Sequence, residues 1–309
     1  MYVYGPVPSR RLGSSLGVSV IPRKACSYSC IYCQLGRTPK KSITPRSYFP
    51  KESVMSEIES RLRYSTPDYI TFVGDGEPTL SSDLSWFIKE CKSRWAMPVA
   101  VFTNSSLLFG PEVRENLVEA DVVMPSLDAA DENTFRRINR PHKDLKFAEI
   151  VEGLIAFRKS FHGIIRLEVM LVENVNDSIE NLQSLKSLIK TINPDIVDVS
   201  IPTRPPAEQW VNPPSTDRLI FAQKLLGSSG VMTSRENGAF GLAIFGSVLE
   251  AIEQLCSRHP LRLEQAKEIA QSFSNSGELD RLIKCGKLRK AKYRGEVFIL
   301  PQENDKEFP

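Results

Sequence analysis

Residues 16–33 read LGVSVIPRKACSYSCIYC and decide the fold. The apolar, β-branched start predicts a buried strand, and the loop after it carries Cys26, Cys30 and Cys33 in the spacing Cys-x3-Cys-x2-Cys. Three thiolates so close together can hold three irons of a four-iron cluster, which leaves the fourth iron without a protein ligand. A strand that leads directly into a ligand-bearing loop is typical of α/β proteins with parallel strands.

Two other uses of these cysteines are less consistent with the sequence. A structural zinc site needs four ligands, usually in two separated pairs, and the next cysteine, Cys91, lies far downstream in a predicted helix. The three histidines, at positions 142, 162 and 259, have no metal-ligand spacing. A disulfide would require an oxidising compartment, which nothing in the sequence indicates. The spacing therefore favours an open iron–sulfur cluster.

Short β-branched runs alternate with amphipathic stretches between residues 1 and 240, which predicts repeated βα units around a parallel sheet. We expect an α/β fold, a partial (β/α)6 TIM-like barrel, with its chemistry at the carboxyl ends of the strands. The predicted strands cover residues 16–21, 69–73, 99–102, 122–125, 164–171 and 196–201. The predicted helices cover residues 51–64, 83–94, 111–119, 147–160, 178–191 and 216–226.

The pattern changes after residue 240. Helices are predicted at 242–257, 263–273 and 277–285, and a two-stranded ribbon at 288–300 that turns at Arg294-Gly295. Three helices followed by a ribbon predict a small winged-helix-like domain over residues 241–301, and residues 302–309 read as a loose tail.

A second motif, Gly74-Asp75-Gly76-Glu77-Pro78-Thr79, follows the second predicted strand. Glycines at a strand end let the backbone approach a ligand closely, and Glu77 adds a carboxylate. Polar residues also follow the third and fourth strands, at Asn104, Ser126 and Asp128, where they are candidates either to bind a ligand or to cap the next helices.

The cysteine loop, with Tyr32 before its last cysteine, resembles the radical S-adenosylmethionine superfamily. The resemblance implies a [4Fe-4S] cluster on Cys26, Cys30 and Cys33, whose free iron binds the amino and carboxylate groups of S-adenosylmethionine. It implies reductive cleavage of that cofactor and hydrogen abstraction from a substrate. Residues 5–13 (GPVPSRRLG), rigid and basic, extend the resemblance to a branch grouped with wybutosine-type tRNA enzymes. No cysteine precedes Cys26, so the two-cluster reaction of true wybutosine enzymes is not carried over.

The same resemblance implies roles for further residues. It places Gly74, Asp75, Gly76 and Glu77 at the cofactor's amino group, and Asn104, Ser126 and Asp128 at its ribose and carboxylate. Tyr32 would pack beside the adenine or the cluster, or belong to the core. On the fifth strand, Arg166 and Glu168 would either contact the cofactor or pair with each other. Arg204, in a proline-rich loop after the sixth strand, is a candidate for binding substrate at the pocket mouth, and residues 128–140 for closing over it.

Charge is unevenly distributed along the chain. The net charge is only +3, but residues 1–51 contain no acidic residue, and neither does the basic run that begins at Arg281 and ends at Arg294 (RLIKCGKLRKAKYR). Such zones predict an anionic partner, with RNA the leading candidate; the alternative is that they balance the cluster and cover a solvated face.

Three functions remain open from the sequence. The leading hypothesis is a radical S-adenosylmethionine enzyme that modifies tRNA or another RNA. The second is an enzyme of the same class that modifies a peptide or protein, or activates a glycyl radical. The third is an iron–sulfur redox sensor with a DNA-binding winged helix. We expect a cytoplasmic location, no membrane association, and an electron donor such as ferredoxin or flavodoxin.

Overall fold

The computed structural model describes residues 1–228, 231–232, 240–242, 245–275 and 277–302, and only the backbone of residues 231–232. The chain divides into two compact units, Met1–Ala239 and Phe240–Pro309. Among the helices described, none combines the length and the apolar character that crossing a membrane requires.

The first unit is an α/β fold built on one sheet. In the described part of the chain this sheet has eight strands, which lie side by side in sequence order. The first pair is antiparallel, and every later pair is parallel, so seven strands run in one direction. The strands are β1 (Val3–Ser9), β2 (Gly13–Val18), β3 (Tyr69–Phe72), β4 (Val99–Thr103), β5 (Val122–Pro125), β6 (Ile164–Met170), β7 (Ile196–Ser200) and β8 (Val231–Met232).

Helices connect the parallel strands. They are α1 (Lys51–Leu62), α2 (Leu84–Arg94), α3 (Pro111–Glu115), α4 (Glu132–Ile138), α5 (Phe147–Ser160), α6 (Ile179–Ile192) and α7 (Thr216–Leu226). Helix α6 shows how the sequence specifies them. Ser178 caps its first turn, its buried residues recur at a spacing of three to four, and Asn193 ends it in the left-handed conformation (φ 55°). The apolar faces of these helices and the sheet share one core.

The structure corrects several sequence-based expectations for this unit. Six parallel strands were expected and seven are present, because β8 is too short to show periodicity in the sequence. Most of the rigid, basic segment 5–13 belongs to β1, a strand that the sequence did not predict. Proline is tolerated there because β1 is an edge strand, and its register shifts between Tyr4 and Val7. Strand β2 ends at Val18, three residues earlier than expected. Residues 128–140 contain a helix, α4, that the sequence did not indicate.

The second unit contains α8 (Val248–Cys256), α9 (Leu263–Ser272), α10 (Glu278–Lys284), β9 (Leu261–Arg262), β10 (Leu288–Tyr293) and β11 (Glu296–Pro301). Its sheet is antiparallel in the order β10-β11-β9. The expected ribbon is confirmed: β10 and β11 are joined at Arg294 and Gly295, which both have positive φ (52° and 78°), as a tight two-residue hairpin turn requires. The helix expected at 242–257 begins at Val248. Residues 243–244, and 303–309 of the expected tail, lie outside the described residues.

Candidate cofactor site at the cysteine loop

The cysteine loop is fastened to the Gly-Asp-Gly-Glu turn that follows β3. The Glu77 N–H donates to the carbonyl of Ala25 (2.9 Å), and the Lys24 N–H donates to that of Asp75 (2.5 Å). A Cβ on Gly76 would lie 1.9 Å from the Ala25 carbonyl oxygen, so only glycine fits there. The sequence predicted that the glycines let the backbone approach a ligand. At Gly76 the backbone instead approaches the backbone of Ala25.

The opposite side of the cysteine loop is held by the segment after α4. The Ile31 N–H donates to the Ile138 carbonyl (3.0 Å), and the Ser29 N–H to that of Asn139 (3.0 Å). The His142 N–H returns a bond to the Ser27 carbonyl (2.8 Å). The loop is thereby fixed by residues more than a hundred positions away, which no local pattern in the sequence could indicate.

Each cysteine sulfur accepts a hydrogen bond from a side-chain N–H. The amide of Asn104 donates to Cys26 (3.5 Å), the amide of Asn139 to Cys30 (3.5 Å), and the ammonium of Lys24 to Cys33 (3.5 Å). The sequence did not identify Lys24 or Asn139. N–H donors suit anionic sulfur, so the site fits thiolates bound to iron.

The thiols of Cys26 and Cys30 are hard to ionise without a metal. Burial, followed by the charge of Glu77, raises the pKa of Cys26 to about 12, and burial also raises the pKa of Cys30. Iron binding must therefore displace their protons. In the described part of the chain, no three His, Cys, Asp or Glu side chains lie close enough to share a single ion. A four-iron cluster instead binds each thiolate at a different iron.

Glu77 organises the ends of β3 and β4. It is 1% exposed. One carboxylate oxygen accepts bonds from the Thr79 N–H (3.0 Å) and from the hydroxyls of Thr79 (2.6 Å) and Thr103 (2.7 Å). The other accepts the N–H of Asn104 (2.6 Å), and this bond orients the residue that reaches Cys26. Burial raises the pKa of Glu77, and these hydrogen bonds oppose that shift.

Asp128 is the second buried carboxylate at the strand ends, 2% exposed. It accepts bonds from the Tyr32 hydroxyl (2.5 Å), the Asn139 amide (2.8 Å) and the Met170 N–H (2.9 Å). Burial raises the pKa of Asp128 to about 6. Neither Asp128 nor Asn104 caps a helix, since Asp131 caps α4 and the Asn104 side chain binds the Ser106 N–H.

A small pocket brings several of the expected residues together. Asn104, Ser126 and Asp128 line it with Asn139, beside the aromatic rings of Tyr28 and Phe135. The pocket is thus polar on one side and aromatic on the other, although it is much smaller than a nucleoside.

Arg166 and Glu168 of β6 do not pair with each other. Arg166 binds Asp198 through two nitrogens, one of them 3.0 Å from the carboxylate. Glu168 accepts bonds from Arg11 (2.6 Å) and from the hydroxyl of Ser200 (2.7 Å). Burial alone would raise the pKa of Glu168, but Arg11 and Ser200 outweigh it and the pKa is lowered. Both candidate site residues thus form hydrogen bonds with residues that the sequence did not identify as their partners.

Arg204 was expected at a pocket mouth, but it is only 6% exposed. It lies in the segment between β7 and α7. Asp128, a proposed ligand-binding residue, is buried even more, so substrate binding by Arg204 stays a prediction.

A basic rim, defined as Arg37, Lys40, Lys41 and Arg140, lies on and beside the cysteine loop. Glu208 accepts bonds from Arg37 (2.8 and 2.9 Å) and is also bound by Arg140. The Lys41 ammonium donates to the Arg140 carbonyl (3.1 Å). The bonds from Arg37 lower the pKa of Glu208, with a smaller contribution from Arg140. Only one carboxylate in these contacts opposes four cationic side chains, so the rim is net positive.

The fold and this site define an α/β protein with a three-cysteine loop and buried polar side chains at the ends of parallel strands. The family model described as the radical SAM superfamily matches residues 20–185. The chain is 36% identical over 305 residues to a UPF0026 protein of Methanocaldococcus jannaschii, covering 96% of this chain and 95% of that protein. The chain belongs to the radical SAM superfamily. It is a radical SAM enzyme, and its cofactors are a [4Fe-4S] cluster and S-adenosylmethionine.

The chain is also similar to two more distant proteins. A radical SAM methyltransferase structure from Sphaerobacter thermophilus shares the fold, with a TM-score of 0.52 at 17% identity, covering 72% of this chain and 67% of that one. A probable dual-specificity RNA methyltransferase of a Synechococcus strain is 23% identical over 238 residues, covering 74% of this chain and 66% of that protein.

Proposed function

We propose that this enzyme holds its cluster on Cys26, Cys30 and Cys33 and abstracts hydrogen from an RNA substrate. The observation that carries the choice of RNA is the basic rim beside the cysteine loop. It places exposed cationic side chains, Arg37 at 70% exposure among them, next to the proposed reaction centre. Phosphate groups are the partners that such a surface attracts most strongly.

The pocket residues have distinct parts in this proposal. When bound, the cluster supplies the electron that cleaves S-adenosylmethionine, and the cleaved cofactor removes the substrate hydrogen. The backbone of residues 74–77 binds the cofactor's amino group, and Asn104, Ser126 and Asp128 bind its ribose and carboxylate. Tyr32 and Asn139 hold the Asp128 carboxylate in place through its hydrogen bonds. Ferredoxin or flavodoxin serves as the electron donor.

The second unit supports an RNA partner independently. Its three helices and its ribbon resemble a winged helix, a fold whose third helix and ribbon often contact nucleic acid, although many such folds bind only proteins. Lys287, Lys290, Lys292 and Arg294 are exposed on or next to that ribbon. The similarity to an RNA methyltransferase points the same way.

The proposal is tested by binding and by isotope transfer. Salt-dependent binding of host tRNA is measured for the reconstituted protein, for Lys40→Ala/Lys41→Ala in the rim, and for Lys290→Ala/Lys292→Ala in the ribbon. Each lost phosphate contact should weaken binding and reduce the slope of log K against log[salt] by about 0.7–0.9. The matched control is Lys186→Ala/Lys190→Ala, which removes two exposed charges from α6.

Deuterated RNA should pass its label into 5′-deoxyadenosine. An equal loss of tRNA affinity in the rim, ribbon and control double variants would show that the rim and the ribbon are not specific binding surfaces. Label that arrives from a protein pool and never from RNA would replace the RNA proposal with the peptide-modifying alternative.

A further inference from the structure

The three cysteine sulfurs share a feature that ligation alone does not require. Each accepts an N–H bond from a different residue: Cys33 from Lys24, Cys26 from Asn104 and Cys30 from Asn139, all at 3.5 Å. The donors come from three separate segments, namely the cysteine loop, the end of β4 and the end of α4. Every cysteine sulfur therefore has at least one side-chain nitrogen donor.

The backbone is strained at Lys24 and directly after the other two donors. Lys24 has φ 63°, Asn104 is followed by Ser105 at φ 69°, and Asn139 is followed by Arg140 at φ 45°. Non-glycine residues rarely occupy this left-handed region because their Cβ is crowded there, and such outliers concentrate at functional sites. Lys24 carries this cost itself, whereas beside Asn104 and Asn139 the next residue carries it.

Other bonds hold each donor in position. The Lys24 ammonium also binds the Gly36 carbonyl (2.5 Å). The Asn104 amide also donates to the Ser27 hydroxyl (3.0 Å), and the Asn139 amide to Asp128 (2.8 Å). The donor nitrogens are therefore preorganised toward the sulfurs, as outer residues around a metal site must be to influence it.

We propose that Lys24, Asn104 and Asn139 are positioning residues that raise the reduction potential of the cluster. Reduction adds negative charge to the iron and sulfur atoms, and N–H donors stabilise that charge on the thiolates. Lys24 contributes a full positive charge, whereas the two asparagines contribute dipoles, so Lys24 has the largest effect. This inference rests on the proposed ligation by the three cysteines and is independent of the choice of substrate.

The test is a potentiometric titration of the reconstituted protein, followed by electron paramagnetic resonance of the reduced cluster. Lys24→Met, Asn104→Ala and Asn139→Ala should each lower the potential. Loss of one neutral hydrogen bond should change the reduction equilibrium by up to about tenfold, or about 59 mV for one electron. Lys24→Met should exceed both asparagine variants.

The matched control is Tyr32→Phe. Like Asn139→Ala, it removes one hydrogen bond to Asp128, but Tyr32 donates no bond to a cysteine sulfur. Its potential should equal that of the wild type. Variants that keep the wild-type potential, or a Tyr32→Phe shift as large as that of Asn139→Ala, would overturn the proposal.

A measurement on the wild-type protein tests the proposal even if the variants fail to fold. With ¹⁵N-labelled asparagine and lysine, pulsed electron paramagnetic resonance of the reduced cluster should detect coupling to side-chain nitrogen, and absence of coupling would reject the donors. Failure of the ligand assignment gives a different result, because the cluster would then survive replacement of Cys26, Cys30 or Cys33 by alanine.

Discussion

Replacing Gly76 by alanine should detach the cysteine loop from its support. The new Cβ would lie 1.9 Å from the Ala25 carbonyl oxygen and 2.6 Å from its carbon, both backbone atoms that cannot rotate away. The two segments must separate by about 1 Å, which disrupts packing and weakens two backbone hydrogen bonds, those of Lys24 with Asp75 and of Glu77 with Ala25. At about 1 kcal/mol for each bond and at least about 1 kcal/mol for the overpacking, the loss is about 3 kcal/mol.

The melting temperature of the metal-free protein under reducing conditions measures this effect. For a unit of this size the loss corresponds to roughly 6–12 °C. Iron content after reconstitution should fall as well, because Cys26 adjoins the displaced Ala25. Gly74→Ala is the matched control, since its Cβ would first meet the end of the flexible Ile21 side chain, at 2.9 Å. Equal melting temperatures and equal iron contents for the two variants would refute the reasoning.

Two further predictions concern buried charges of the first unit. Asp198→Ala leaves Arg166 without its buried partner and should lower the free energy of unfolding in urea by about 3–5 kcal/mol. The double variant Arg166→Met/Asp198→Leu should regain most of that stability, and a double variant as unstable as the single one would contradict this prediction. Burial raises the pKa of Asp128 from 3.8 to about 6, so the folded chain keeps a proton that the unfolded chain has lost, and stability should decrease by about 3 kcal/mol as pH rises through that interval. Asp128→Asn should remove this decrease in melting curves recorded from pH 4 to pH 7, and an unchanged pH profile would show that Asp128 is not its source.

Much of the first unit could be predicted because its signals are local. Five of the six expected strands overlap the observed ones closely, since each is a short β-branched run between turn residues. Strand β1 was missed because its two prolines argue against a strand unless its edge position is known. Helix α4 was missed because its seven residues span too few turns to show a clear apolar face.

The candidate site also has parts that the sequence predicts and parts that it does not. The cysteine spacing and the turn at residues 74–77 are each recognisable from a few neighbouring residues. Asn139 and Lys24 carry no such signal, because a hydrogen bond to a sulfur depends on where the chain returns in space. Arg11 and Glu168 illustrate the point, since they bind at 2.6 Å although they are far apart in the sequence.

The amino-acid sequence by itself determined the alternating α/β pattern, the thiolate loop and the placement of basic residues, because periodicity, ligand spacing and charge are properties of neighbouring positions. Only the tertiary structure decided that Glu77 and Asp128 are buried and hydrogen-bonded at the site, and that each thiol sulfur meets a side-chain nitrogen donor. It also decided that the charges of β6 are paired with Arg11 and Asp198. The physical reason is that burial and hydrogen bonding depend on distances between remote segments, which exist only once the sheet has assembled.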